Sequence, residues 1–214
     1  MKYLSTFILL IKLVNKLLTP AEKDFLITEL AHERKLEPAL LRAIVDIESS
    51  GQGFYSKDHE FSNKCKVRFE PDFFQRFAST RPFFLPASIS IESAKKDSRF
   101  TDRKAYEQAI LQSPSSAIKA TSFGLGQILG MNYKIVGFNS LIEFSNAMEN
   151  SEYQQLEALV RFISSNTSLL IAAREKNFVE IARLYNGPNY LSRGYDRKLA
   201  DAYKILKRKK MVTA

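Results

Sequence analysis

The chain has 214 residues, of which 45% are hydrophobic and 26% are charged. This balance is typical of a globular protein and excludes a disordered chain, a collagen-like chain and a polytopic membrane protein. The length suits one compact domain with at most a small appendage. The single cysteine, Cys65, excludes an internal disulfide framework and a thiolate-cluster metal site. The two histidines, His32 and His59, argue against a zinc site built on several imidazoles.

The charge of the chain favours anionic partners. It has 32 basic and 23 acidic residues, which gives a net charge of +9. Such an excess suits nucleic acid, an anionic membrane or an anionic cell wall, and charge alone does not distinguish them. Part of the excess is local, because residues 207–210 read KRKK. We interpret this run as a solvated C-terminal tail.

Residues 1–18 combine an apolar run with two interrupting lysines, Lys12 and Lys16. The run is shorter than the roughly 20 apolar residues that cross a bilayer, and no small-residue cleavage site follows it. We interpret the segment as an amphipathic helix that docks on the protein, or alternatively as a signal-like segment that associates weakly with membranes through residues 3–18. Its apolar stripe has helical spacing and consists of Leu4, Phe7, Ile8, Ile11, Val14 and Leu18.

The remainder, 19–214, reads as one predominantly α domain. Helix-start signals such as Thr19 with Glu22 and Ser151 with Gln154 precede stripes of apolar residues at helical spacing. We expect a loop over 51–69 with a short extended piece at 66–69, and an irregular insertion or lid over 79–101. The predicted helices lie near 20–34, 38–49, 71–78, 103–112, 140–148, 151–165, 177–184 and 195–208.

One acidic residue stands out because of its position in a helix. Glu48 continues the apolar stripe formed by Leu41, Ile44 and Val45, and Ser49 follows it at the helix end. Burial and the negative end of the helix dipole both disfavour a carboxylate, so both should raise its pKa, as a general acid requires. The alternative is a partly exposed glutamate where the helix emerges into solvent.

Two further segments carry groups suited to sugars. Residues 120–130 contain three glycines that allow a close backbone approach, with Ser122 and Gln127 beside them. Near residue 185 a predicted helix ends in a turn that presents Tyr185 and Asn186. Each segment alone is equally consistent with helix packing or with a plain C-terminal cap.

Taken together and in this order, the three segments resemble phage-type N-acetylmuramidases, the endolysin domains of the lysozyme-like superfamily. The resemblance runs from about residue 36 to 205 and includes Arg68-Phe69-Glu70, Gln127 to Tyr133, Tyr185-Asn186-Gly187-Pro188 and Tyr195-Asp196-Arg197. Members commonly have Phe-Glu-x-His where this chain has Phe69-Glu70-Pro71-Asp72, and Trp where it has Phe123.

The resemblance implies a mainly α, two-lobed lysozyme-like fold with a central cleft. The implied reaction is cleavage of the β-1,4 bond between N-acetylmuramic acid and N-acetylglucosamine, with Glu48 as general acid and Glu70 as partner carboxylate; Asp58 and Asp72 are fallbacks. We expect a monomer that acts on peptidoglycan at the bacterial cell wall, without metal, organic cofactor or nucleic acid. The residues expected to contact substrate are Ser122, Phe123, Gln127, Tyr133, Tyr185 and Asn186.

Two other functions stay open. A lytic transglycosylase would share Glu48 and the Tyr-Asn-Gly element but would use the muramyl 6-hydroxyl instead of water, and it needs no second carboxylate. The status of Glu70 therefore discriminates between the two enzymes. A non-enzymatic basic protein that binds nucleic acid or membrane predicts clustered Lys and Arg with no cleft around Glu48.

Overall fold

The computed structural model describes residues 17–78 and 98–212, and this part of the chain is mainly helical, as predicted. Two short 3-10 turns, Gly130–Asn132 and Pro188–Tyr190, complete the helical content. In chain order the helices are α1 (Pro20–Glu33), α2 (Pro38–Ser49), α3 (Pro71–Ala78), α4 (Ser98–Gln112), α5 (Pro114–Lys119), α6 (Leu141–Asn150), α7 (Glu152–Ser165), α8 (Thr167–Glu175), α9 (Phe178–Asn186) and α10 (Tyr195–Val212).

A small antiparallel sheet lies among these helices. Its strands are β1 (Val67–Phe69), β2 (Thr121–Phe123) and β3 (Ile128–Leu129), in the order β1-β2-β3. Arg68 lies opposite Ser122 in the ladder. The helix α4 packs on β1, while α2 packs against α10. The sheet and the helix α2 therefore have different packing partners.

The helices begin where the capping residues predict. Thr19 forms a complete capping box with Glu22 at the start of α1, and the Ser151 hydroxyl accepts a hydrogen bond from the Gln154 amide. These contacts satisfy amide groups that the first helical turn leaves unpaired.

The predicted helices are all present, and the structure adds α5 and α8. The helix α8 lies between two predicted helices, and it forms because Asn166 caps a new helix directly after α7. The irregular segment expected over 79–101 is wrong for its last residues, since α4 begins at Ser98; its residues 79–97 lie outside the described part. The basic run at 207–210 belongs to α10, and Lys207 and Arg208 in it are exposed.

Of the N-terminal segment only Leu17 and Leu18 are described, and neither is helical. Leu18 is buried in the core, and its amide donates to Glu152. No single helix in the described ranges is apolar and long enough to span a membrane. The pair α7 and α8, bent by 102°, meets the criteria of length and composition only when taken together.

A buried ion pair joins the start of the described chain to α7. The Glu152 side chain is almost fully buried, and its Oε1 accepts from Lys23 Nζ and from the Gly53 amide, each at 2.9 Å. Lys23 Nζ also donates to the Gly51 carbonyl at 2.8 Å. The residues directly after α2 are therefore held by charged groups from α1 and α7.

Gln155, one helical turn further along α7, holds the same loop to the segment after β2. Its Oε1 accepts from the Leu125 amide at 2.9 Å, and its Nε2 donates to the Met148 carbonyl at 2.8 Å. A Cβ atom on Gly53 would lie 2.0 Å from Gln155 Oε1, and one on Gly124 would lie 2.3 Å from its side-chain carbon. Both positions therefore require glycine.

Three hydrogen bonds to Glu37 hold the N-terminal end of α2 in place. Glu37, which precedes α2, accepts hydrogen bonds from Lys176 at 3.0 Å, from Tyr203 at 2.7 Å and from Lys207. Hydrogen bonds from Lys207 and Tyr203 lower the pKa of Glu37 to about 2. The ionised side chain thus links α2 to the end of α8 and to the last turns of α10.

The first prediction concerns Lys23→Met, which leaves the buried Glu152 carboxylate without its cation. We expect the free energy of unfolding to fall by about 3–5 kcal/mol, as for other buried pairs broken on one side. Urea denaturation measures this loss. The matched control is Glu60→Gln, which breaks an exposed pair with Lys104 and should cost no more than about 1 kcal/mol. Equal losses for both variants would contradict the importance of the buried pair.

The second prediction concerns Glu37→Gln and pH. Because the pKa of Glu37 is about 2 in the folded protein against an ordinary 4.5, its stabilising contribution is present above pH 4.5 and disappears as the pH falls toward 2. The variant should be less stable than the wild type at pH 6, on the order of 1 kcal/mol, and the gap should close near pH 2. Urea denaturation across this range, with the exposed Glu175→Gln as control, measures the gap. A gap independent of pH would refute the assignment.

Candidate active site

Glu48 lies in the last turn of α2, where the sequence predicts it. The helix ends because Ser50 adopts the left-handed conformation with φ 57°. Leu41, Ile44 and Val45 are fully buried on the same face, while Glu48 is half-buried. The hydrophobic face of α2 thus carries the carboxyl group to the edge of the core.

Two stacked tyrosines from the C-terminal helices lie beside Glu48, and one of them binds its carboxyl group. Tyr195 Oη, at the start of α10, donates to Glu48 Oε1 at 2.7 Å. The Tyr195 ring stacks on that of Tyr185 with 6.4 Å between centroids. Tyr185 Oη in turn donates to the Gly126 carbonyl at 2.6 Å. This chain of contacts links Glu48 to α9, α10 and the glycine segment.

Burial raises the pKa of the Glu48 carboxyl, and this effect exceeds the opposing ones. The hydrogen bond from Tyr195 and the charges of Arg68 and Arg193 favour the ionised form and lower the pKa in part. Burial and the Glu48 charge raise the pKa of Tyr195 well above its usual value, so the phenol remains a donor. The carboxyl group is therefore biased toward the protonated form that an acid catalyst needs.

Arg68 and Glu70 bring opposite charges to the same site. Arg68 lies in the centre of β1, and Glu70 follows that strand immediately before α3. Arg68 Nε lies 2.9 Å from Glu70 Oε1, although the two are not aligned for a hydrogen bond. The sequence-based alternative that Glu70 pairs with Arg68 is thus what the structure contains, and Glu70 still borders the cavity of Glu48.

The cavity beside Glu48 has a volume of about 420 Å³. Six of the predicted site residues line it: Glu48, Glu70, Ser122, Gln127, Tyr185 and Asn186. Its other walls are Arg68, Phe73, Ile128, Leu129, Asn132, Phe162, Leu184, Gly187 and Arg193.

Asn186 contributes an amide group with unused capacity. It lies beside Glu48 and favours the charged form of that carboxyl. Within the described part of the chain, its Nδ2 atom is nevertheless buried without an acceptor at hydrogen-bond geometry. Because a buried donor without a partner is costly, an acceptor supplied by a bound molecule would be favoured here.

The structure does not bring all predicted residues to the cavity. Phe123 is fully buried, and its ring makes edge contacts with Tyr106 and Phe144, so it supports the sheet from the core. Tyr133 is partly buried and is absent from the cavity wall, where its neighbour Asn132 lies instead. The fallback residues Asp58 and Asp72 are exposed and line no described cavity.

A second, smaller cavity of about 220 Å³ adjoins the first and contains a carboxyl group that sequence reasoning missed. Asp102, from α4, lines it together with Glu48, Arg68 and Gln127. Burial raises the pKa of Asp102 to about 7, against the opposing effects of the Phe69 amide and Arg68. No local pattern signals this residue, because the pairing of α4 with β1 joins parts of the chain more than 30 positions apart.

Tyr195 and Arg193 were likewise missed as site residues, since the fold brings them to Glu48 from about 147 residues away. Within the described ranges, no three His, Cys, Asp or Glu side chains are arranged to hold a metal ion.

Comparison with known proteins gives a consistent result. Residues 37–207 match the Muramidase family, described as N-acetylmuramidase. Among solved structures the chain is similar to the crystal structure of the Burkholderia AP3 phage endolysin, with 28% identity and a TM-score of 0.68 over 87% of this chain and 71% of that chain. No curated protein sequence matches. The structural similarity confirms the expected lysozyme-like fold.

The matched range includes every residue that lines the main cavity, from Glu48 to Arg193. The non-enzymatic interpretation predicted no cleft around Glu48, whereas Glu48 lines a cavity. Family membership likewise argues against that interpretation. The chain therefore belongs to the N-acetylmuramidase family and is a peptidoglycan-degrading glycosidase.

Proposed function

We propose that the protein hydrolyses the β-1,4 bond between N-acetylmuramic acid and N-acetylglucosamine, with Glu48 as general acid. The observation that carries this proposal is the half-buried Glu48 carboxyl, whose pKa is raised by burial at the wall of a 420 Å³ cavity. A protonated carboxyl in this position can donate its proton to the glycosidic oxygen as the bond to the anomeric carbon breaks.

Glu70 is the proposed partner carboxylate. It borders the same cavity as Glu48, and its Oε1 lies 2.9 Å from the Arg68 guanidinium. A carboxylate facing the sugar would stabilise the positive charge that develops on the ring in an oxocarbenium-like transition state. This role requires charge at Glu70 and no proton transfer by it.

The remaining predicted residues would hold the sugars. The Asn186 Nδ2 donor has no acceptor at hydrogen-bond geometry among the described residues, and it suits the carbonyl of an N-acetyl group. Ser122 and Gln127 line the opposite wall, and Tyr185 offers its ring, because its hydroxyl is bound to the Gly126 carbonyl. The net charge of +9 would favour encounter with the anionic cell wall, where we propose that the protein acts as a monomer.

Transglycosylation is the second candidate, since the ion pair of Glu70 with Arg68 is also compatible with an enzyme that uses Glu48 alone. The reaction products separate the two. Hydrolysis of purified peptidoglycan leaves reducing ends, whereas transglycosylation leaves 1,6-anhydro ends.

The third prediction is that Glu48→Gln loses glycan cleavage while remaining folded, because the amide has nearly the same shape but no transferable proton. We expect a loss of about 10²–10⁴-fold. Mass analysis of fragments released from purified peptidoglycan measures both the rate and the chemistry of the ends. Retention of more than half of the wild-type activity would exclude Glu48 as the acid.

The fourth prediction uses Tyr195→Phe to test the electrostatics of Glu48. The phenol donates to the Glu48 carboxylate and lowers its pKa, so its removal should raise that pKa. Glu48 must be protonated to act, and activity is lost as the pH rises through its pKa; the alkaline limb of kcat/KM should therefore move to higher pH.

The control for this experiment is Tyr185→Phe, which removes a hydroxyl from the same stacked pair but takes no donor from Glu48. Its alkaline limb should stay in place. A shift of the Tyr195→Phe limb to lower pH, or no shift, would contradict the proposed role of the hydrogen bond.

A further inference from the structure

The second cavity places Asp102 next to the site of the proposed acid. The two cavities share Glu48, Arg68 and Gln127 as a common wall. With a volume of about 220 Å³, the second cavity has room for several water molecules. Its other walls are polar at Ser49, Ser50, Tyr55 and Lys66, so water would find hydrogen-bond partners there.

Hydrolysis requires a base for the attacking water as well as an acid for the leaving oxygen. Glu70 is poorly placed for this task, because its Oε1 lies 2.9 Å from Arg68 Nε and is engaged in that ion pair. Asp102 has no ion pair among the described residues at the distance of a salt bridge; Arg68 acts on it through its charge and Phe69 through its amide. Asp102 is therefore not held in a salt bridge among those residues, and it lines the second cavity.

We propose that Asp102 is the general base of the reaction and that it binds and deprotonates the attacking water in the second cavity. This inference rests on the proposed hydrolysis with Glu48 as acid. As the bond between the anomeric carbon and the leaving oxygen breaks, the Glu48 proton passes to that oxygen. The water oxygen bonds to the anomeric carbon, and one water proton passes to Asp102. Glu48 lines both cavities and Asp102 lines the second, and direct attack by the water held there would invert the anomeric carbon.

The charges around Asp102 support this assignment. The pKa of Asp102 is raised to about 7 mainly by burial; the Phe69 amide and Arg68 oppose this rise, and the Glu70 charge contributes to it. Tyr55 shares the cavity; burial is the main cause that raises the pKa of that phenol to about 12, and the Asp102 charge adds to the rise. Lys66 completes the charged wall from the side of β1. A base is most effective when its pKa lies near the working pH, and Asp102 meets that condition.

The test compares Asp102→Asn with the wild type on purified peptidoglycan and on soluble muropeptide chains. The variant should lower kcat by about 10²–10⁴-fold with KM little changed, since Asp102 would act on water and not on the sugars. Sodium azide, which needs no base, should restore cleavage and yield a glycosyl azide with α configuration. The exposed Asp201→Asn serves as a matched control and should behave as the wild type with or without azide.

The stereochemistry of the wild-type reaction provides a second measurement that needs no variant. Proton NMR should show the α anomer of the new reducing end first, before mutarotation. Release of the β anomer first would overturn the proposal, as would an Asp102→Asn variant with wild-type kcat or without azide rescue. Each of these three results would leave the proposed role of Glu48 as the acid unchanged. Release of 1,6-anhydro ends by the wild type would instead refute hydrolysis itself.

Discussion

The Glu152 carboxylate is the contact on which the position of the active site depends. Residues 50–66, directly after the helix that carries Glu48, form no helix and only an isolated bridge between Phe54 and Cys65. Their backbone groups must still find partners when buried. Glu152 supplies one such partner to the Gly53 amide, and Lys23 binds the Gly51 carbonyl while neutralising Glu152. Buried charged groups thus supply the backbone hydrogen-bond partners that a strand or helix would otherwise supply.

This arrangement makes Glu48 both buried and well supported. The same loop continues into β1, which carries Arg68 to the wall shared by the two cavities. The glycines at 53 and 124 let the loop and the segment after β2 approach Gln155, so the two walls of the site are fixed to one helix. Around Glu48, burial raises the pKa of the carboxyl group, and the hydrogen bond from Tyr195 lowers it. A substitution that changes either the burial or the hydrogen bonding of Glu48 should change its pKa without changing the fold.

The sequence predicts those parts of the molecule that depend on local patterns. Capping residues and apolar stripes locate α1, α2 and α7 closely, and the stripe that ends in Glu48 correctly indicates its half-buried place. Long-range pairing is not encoded locally, which is why Asp102 and Tyr195 escape notice and why Phe123 was expected at the cleft. An aromatic residue just before a glycine has the same sequence pattern whether it faces substrate or, as here, packs between Tyr106 and Phe144. The short α8 was missed because it follows α7 without a loop.

The protein itself raises the pKa of Glu48 above the ordinary glutamate value, in the direction that acid catalysis requires. The most direct measurement is a pH titration of the free protein labelled with ¹³C at glutamate side-chain carboxyls, followed by NMR. The Glu48 resonance is assigned by its absence in Glu48→Gln. The account predicts a midpoint for Glu48 above the ordinary glutamate value of 4.5. A midpoint at or below 4.5 would show that Tyr195 and Arg68 outweigh burial, and it would contradict the account.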